Sequence, residues 1–353
     1  MRVDLAIVGG GIVGCVAADL AAQRWPDRTV ALLDRSLFGS GATQHSGGHN
    51  HPFGYTPEQK IMAAESAVYF DGLRQRFPHL PLRDCSLVGI VRKERAASVA
   101  DGYLRAGAQV NEAAPRELGS LGTVSLEAHQ TMIVGASSAY GFPAAIADLL
   151  ARDLRSDHRI RCWEGVTVDG LAHADGDIVL RTTCGRSVQA RRVLLAAGPW
   201  TLRLLSGEPA LSAVRVKKVV AMHIESAPTL ADPIVYFFDD GAYLLPVVER
   251  GHWIFSFTSD EFDCEPEISR LAITQRDRSL ALSILGRHLP HLVERCTNGR
   301  LFCDTYTLDR LPIVVQPSAL PGTAVIAGCS GFGFRLAPAI ARRALDQLAL
   351  LDE

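Results

Sequence analysis

Apolar and polar positions along this chain fall into blocks whose period changes, and each change marks an element. Residues 3–8, VDLAIV, read as a short buried strand, and the small-residue run CVAADLAAQRW that begins at Cys15 has helical spacing. A second strand, TVALLD, ends at Asp34, and PEQKIMAAESAVYFDGLRQRF (57–77) returns to the helical period. A β-rich middle follows. GFPAAIADLLARDL (141–154) is predicted as a helix that leads into the strands RIRCWEGVTVDGL (159–171), GDIVLRTTCG (176–185) and RRVLLAAGPWT (191–201). Between 212 and 262 the pattern is mostly alternating, in VRVKKVVAMHIE, PIVYFF, AYLLPVV and HWIFSFT, which predicts a separate antiparallel sheet. The stretch ISRLAITQRDRSLALSILGRHL (268–289) is helical in period, and TAVIAG (323–328) is a last strand before Ser330–Phe334 and a long terminal helix.

The 353 residues are 48% hydrophobic and 21% charged, which suits a globular chain with a large buried core. The net charge of -2, with no block of like charges, argues against nucleic acid or an anionic membrane surface and for a small-molecule partner. Eight cysteines are scattered without a CxxC pair, so neither a zinc ribbon nor a thioredoxin-like motif is expected, and most should be reduced and structural. The apolar run at the N-terminus gives way to glycines at Gly9, and no stretch of about 18 apolar residues follows. These features predict a cytoplasmic protein that does not cross a membrane.

The first chemistry-bearing motif is Gly9–Gly14, GGGIVG, which fits GxGxxG between a strand and a helix, with Asp34 twenty residues beyond Gly14. Glycines there let the backbone turn tightly and approach a pyrophosphate, whose charge meets the free N–H groups and positive dipole end of the new helix. Asp34 is placed to accept hydrogen bonds from ribose hydroxyls. The motif alone serves NAD and FAD equally. The next loop, GATQHSGGHNHP (41–52), holds His45, His49 and His51. Metal binding, proton chemistry, covalent cofactor attachment and a plain turn all remain open for these imidazoles, with metal disfavoured because no cysteine or acid stands nearby.

Taken in order, GGGIVG, the glycine–serine loop after Asp34, AAGPW (196–200), the TxDRLPIV stretch (307–314) and GCSGFGFRLAP (328–338) resemble the D-amino-acid oxidase superfamily of FAD enzymes over nearly the whole chain. That family includes glycine oxidase, sarcosine oxidase and dimethylglycine dehydrogenase. The resemblance implies an α/β (α+β) architecture: a Rossmann-like FAD-binding domain of the glutathione-reductase type with an inserted antiparallel-sheet substrate domain. The FAD-binding domain would comprise 1–80, 141–211 and 312–353, and the substrate domain 81–140 and 212–311. It implies oxidation of a C–N bond in a small amine or amino acid by hydride transfer to flavin N5, giving an imine that hydrolyses. The alternatives are a 2-hydroxy-acid dehydrogenase and the flavin subunit of a multi-subunit amine or opine dehydrogenase. Oxygen, a quinone or a partner protein would accept the electrons.

The resemblance assigns cofactor contacts to Gly9, Gly11, Gly14, Asp34, Arg35, Thr43, His45, Gly47, Gly48, Val168, Gly198, Trp200, Gly331, Gly333 and Phe334. GATQHSGG places His45 where dimethylglycine dehydrogenase links its flavin, although Gln44 replaces the aromatic of that pattern, and Cys303 is a second, less favoured attachment point. The candidate catalytic set is Arg335, on the position of the cation that binds substrate carboxylate, with Tyr243, His49 and Asp304. Glycine oxidase and its relatives carry an arginine at the Asp304 position, so this chain departs from the family there. Tyr306 is a second aromatic candidate, and His51 is placed with His49 at the substrate end. Lys217 and Lys218 stand at the start of a sheet strand, whereas the family's oxygen-assisting lysine belongs to a later strand that here reads HWIFSF.

Overall fold

The computed structural model describes residues 1–104, 108–111 and 117–349, so parts of the predicted segments 81–140 and 312–353 lie outside the described residues. Two sheets organise the chain. In the first, five parallel strands run in the order Thr323–Ala327, Ser187–Leu195, Arg2–Val8, Val30–Leu33 and Ile160–Trp163. Ile313–Val315 adds an antiparallel edge, and the hairpin of Val168–Ala174 with Asp177–Thr182 joins Ser187–Leu195. The central strands are buried on both faces, which is why they read as continuous apolar runs rather than alternating ones. One face is covered by helices Ile12–Arg24, Pro143–Leu154 and Ala337–Ala349 through Ile7, Leu32, Val16, Leu150 and Ile340.

The second sheet runs in the order Cys296–Tyr306, Arg215–Ile224, His252–Phe257, Ala242–Val247, Ile234–Phe237, Leu82–Arg92, Gln130–Gly141 and His49–Asn50, with Gln109–Asn111 also on Gln130–Gly141. It is not wholly antiparallel: Ile234–Phe237 lies parallel to Leu82–Arg92, because these strands come from distant parts of the chain rather than from one hairpin. Its outer face packs Val220, Met222, Trp253 and Phe255 on helix Gln275–His288. That helix starts later than the predicted 268. Thr274 accepts from the Asp277 amide while the Asp277 carboxylate accepts from the Thr274 amide, a reciprocal cap that fixes the first turn, and Ile268–Arg270 is one separate 3-10 turn.

The two strand residues His49 and Asn50 pair with Tyr140 and Ala139. The histidine loop thus leaves the first sheet at Leu33 and ends on the second, so it crosses between the two layers. No helix is long and apolar enough to cross a membrane among the described residues.

Candidate active site between the sheets

An elongated cavity of about 430 Å3 begins at the glycine-rich turn. Its wall takes in Gly9, Gly11, Ile12 and Val13 at the start of helix Ile12–Arg24, Asp34 and Arg35 at the end of the next strand, and Val168 of the hairpin. It continues past Gly198 and Trp200 to Phe302, Asp304, Gly331, Gly333 and Phe334. The glycines form a cradle that side chains would fill: a Cβ on Gly9 would overlap the Ala196 carbonyl, and one on Gly14 would overlap the Gly9 carbonyl. Gly9 also has φ +108, a conformation that L side chains rarely adopt. Gly14 therefore serves close helix–strand packing and does not itself reach the cavity wall. Thr43 accepts from the Ile12 amide at 3.0 Å, which ties the histidine loop to the helix start.

The Asp34 carboxylate accepts from the Gly10 amide at 2.7 Å and the Ser36 amide at 2.7 Å, so it holds the turn as well as lining the cavity. Burial pushes its pKa up, and these two donors oppose the shift. Arg35 lies over the Trp200 ring, 3.7 Å from its centroid, and the stacked pair walls the cavity near Gly198. Of the remaining expected cofactor contacts, Gly47 and Gly48 do not line this cavity. A Cβ on Gly48 would overlap the Gly141 carbonyl and one on Gly47 would meet the Tyr243 hydroxyl, so both glycines serve the close passage of the loop against the second sheet. His45 ends the short helix Ala42–His45 and stacks on Phe302 at 6.2 Å, behind the cavity wall.

Cys303 is a correction. Phe302 and Asp304 face the cavity, and the strand's alternation turns Cys303 to the opposite face, where its thiol meets the Glu265 carbonyl at 3.8 Å and burial pushes its pKa up to about 12. Neither its direction nor its reactivity suits attachment to a group in the cavity. Lys218, its cross-strand partner, is likewise turned away and bound to Glu261 and Asp277.

Asp304 stands in the cavity wall, and its oxygens accept from the Gly331 amide at 3.0 Å and the Thr305 amide at 2.8 Å. Burial raises its pKa. It therefore occupies an amide of the Ser330–Phe334 loop, and it stands apart from the other candidate catalytic residues. Those gather on the far side of the histidine loop. His49 and His51 stack at 4.1 Å with nearly parallel rings, and Tyr243 and Tyr236 tilt against His49 at 5.4 and 6.1 Å. His49 Nε2 is 3.0 Å from the Ser138 hydroxyl. Arg335 donates to the Phe53 and His51 carbonyls at 3.0 and 3.4 Å, lies 3.3 Å from His51 Nε2, and stacks over Phe332. Arg335 and His51 line a second cavity, of about 210 Å3, with Ser137 and Ser138.

Burial sets the electrostatics of this cluster. It pushes His49 down to about 3 and His51 well below the usual imidazole range, with the neighbouring Arg335 charge adding to both shifts. Arg335 itself falls to about 10 and stays protonated at neutral pH. His49 is therefore neutral at pH 7 and hydrogen-bonds to Ser138. The stacked rings also do not converge, and among the described residues no group of three or more histidine, cysteine or acidic side chains is arranged to hold a metal. Tyr236 was not singled out in the sequence, although a lone tyrosine in PIVYFF is a polar handle within a buried strand. Lys217 faces the same side as Asp304, almost buried; its ammonium lies over Tyr306 and Phe262 at 4.6 and 5.1 Å, and burial lowers its pKa to about 8.

A glycine cradle at a helix start, opening into a long cavity beneath a covering sheet, defines a dinucleotide-binding protein of the flavoprotein type. The chain belongs to the DAO family of FAD-dependent oxidoreductases, whose pattern matches residues 4–347. Solved structures with the same fold include glycine oxidase from Geobacillus kaustophilus, at 20% identity and a TM-score of 0.79 over 99% of this chain and 95% of that one. L-proline dehydrogenase from P. horikoshii is 17% identical with a TM-score of 0.83 over 99% and 94%. The fructosyl amine:oxygen oxidoreductase Amadoriase I from Aspergillus fumigatus is 18% identical with a TM-score of 0.76 over 99% and 87%. No curated protein sequence matches the chain. FAD is thus the cofactor and the protein is an oxidoreductase, and the cradle and cavity fit that group.

Proposed function

We propose that the protein oxidises the C–N bond of a small amine or amino acid that carries a carboxylate. The observation that carries this reading is Arg335: a cation only 5% exposed, held by two backbone carbonyls and an imidazole, with no carboxylate partner among the described residues and a buried Nε that bonds to nothing. A buried charge left without a counter-ion is costly, and a substrate carboxylate supplies one through parallel hydrogen bonds. Tyr236, Tyr243 and the neutral His49 ring form an apolar wall with polar edges that orients the amine and excludes water. FAD held in the glycine cradle would supply the two-electron acceptor for hydride from the amine carbon, and the imine product would hydrolyse.

A base as weak as His49 is poorly suited to take a hydroxyl proton, which favours a neutral amine over a 2-hydroxy acid as the reductant. The glycine oxidase, proline dehydrogenase and Amadoriase I neighbours are compatible with this class of substrate. Eight free thiols support a reducing, cytoplasmic interior. The test is anaerobic: the holoenzyme is mixed with a panel of amino acids, N-methyl amino acids and hydroxy acids, and flavin absorbance is followed. Bleaching with carboxylated amines is expected; bleaching by hydroxy acids alone sinks the reading. Admitting air afterwards separates oxygen from a quinone or partner protein as the electron acceptor.

A further inference from the structure

A third recess, of about 40 Å3, lies on the other side of the histidine loop from the large cavity, and Ser46 is common to both. Its lining includes Ser46, Gly47, Tyr140, Arg250 and Arg300 and, among the described residues, contains no acidic side chain. Arg300 reaches in from strand Cys296–Tyr306 and donates to the Ser46 carbonyl at 3.0 Å, but its Nε is buried without a partner. His223 and His252 sit on the same sheet face, their ring centroids 4.5 Å apart, and the Nε2 of each is also buried and unpartnered. Arg250, exposed and stacked over Phe142 at 5.3 Å, stands at the mouth. The nearest acid along the chain, Glu249, is committed elsewhere: it accepts from Arg83 at 2.7 Å and from Tyr140 at 2.9 Å.

Two guanidiniums thus line the recess without a counter-ion among the described residues, and the Nε of one of them is buried without a partner. Burial lowers the proton affinity of His223, His252 and His45, and the Arg300 charge adds to each shift. Buried donors are ordinarily satisfied, and a volume of this size holds one small polar group, since a water molecule occupies about 30 Å3 of liquid.

We propose that this recess binds a small carboxylate-type anion between Arg300 and Arg250. The anion is either the distal acid group of a dicarboxylic amine substrate or a free anion from solution. The first source rests on the amine-oxidation reading above; binding itself does not.

The holoenzyme titrated with sodium acetate at constant ionic strength is expected to show a saturable rise in Tm. Arg250→Gln and Arg300→Gln should each weaken that response about tenfold or more, as the loss of a charge-assisted contact does. Arg250→Gln is the decisive variant, because its side chain is exposed and holds no hydrogen bond among the described residues, whereas Arg300→Gln also releases Ser46. No saturable response, or an unchanged one in Arg250→Gln, overturns the proposal. Anaerobic flavin reduction then separates the sources, using aspartate and glutamate beside their amides. A KM raised by Arg250→Gln for the dicarboxylates alone, with kcat unchanged, assigns the site to substrate; acetate binding without that selectivity assigns it to a free anion. If no amine reduces the flavin, the amine reading fails while the acetate result stands.

Discussion

The glycine end of the large cavity and the histidine–arginine cluster beside its far end are made of different materials. At the first, the working groups are backbone amides at a helix start, shaped by Gly9, Gly11 and Gly14 and braced by Asp34 and Thr43, all within about a tenth of the chain. At the second, they are side chains from four separate segments: His49 and His51 from the loop, Ser138 from strand Gln130–Gly141, Tyr236 and Tyr243 from the sheet, and Arg335 from the C-terminal turn. At Gly9 and Gly14 the first site has no room for a side chain. The second depends on burial, which neutralises two histidines while leaving one arginine charged. Cofactor binding and substrate chemistry should therefore fail separately.

The largest effect is expected at the glycine end. Gly14→Val drives a side chain into the Gly9 carbonyl, so the protein should lose stability by about 3 kcal/mol and be isolated without flavin. Visible absorption per mole of protein, read beside a thermal melt, checks this; a yellow variant of ordinary Tm contradicts the packing argument.

Arg335→Met acts at the other end and should leave flavin content intact. Loss of a buried charge contact of about 2–5 kcal/mol corresponds to a fall in kcat/KM of roughly thirty- to several-thousand-fold for carboxylated amines. Steady-state kinetics with an amino acid and its decarboxylated amine make the comparison internal: the amine should be almost indifferent to the substitution, and equal losses for both would remove the carboxylate role.

His49→Gln gives a smaller, pH-dependent change. The unfolded imidazole titrates near 6.5 and the folded one near 3, so between these values the unfolded chain binds a proton that the native state does not. Stability is full above the unfolded value and falls as pH drops through this window, by up to about 1.4 kcal/mol per pH unit for one such group. Glutamine keeps a partner for Ser138 but cannot titrate, so urea midpoints measured from pH 7 down to 4 should slope less steeply; an unchanged slope would mean that His49 is already charged in the fold. The smallest effect belongs to Cys303→Ser. With its thiol on the face away from the cavity, the partition of flavin between pellet and supernatant after acid precipitation should not change.

The parts of the fold visible in the sequence are those whose cause is local. VDLAIV, TVALLD and RRVLLAAGPWT read as buried strands because both faces are covered, and alternation at 214–258 reads as a sheet with one face toward helix Gln275–His288. The later start of that helix was hidden because Thr274–Asp277 is a cap written in polar residues inside an otherwise helical period. The parallel pairing of Ile234–Phe237 with Leu82–Arg92 leaves no mark in either strand.

For the site, the sequence determined the glycine turn, its helix and the acid that follows, since spacing along one βαβ unit fixes their geometry without help from the rest of the chain. It also carried the family's residues in order. Only the tertiary structure decided which face each side chain took. A single alternation step sends Phe302 and Asp304 to the cavity and Cys303 and Lys218 to the outer core, and Asp304 is spent on the Gly331 amide. The charge states of His45, His49 and His51 were likewise beyond the sequence, because a pKa is set by the desolvation and the neighbouring charges that folding brings together, and three histidines in one loop meet three different surroundings.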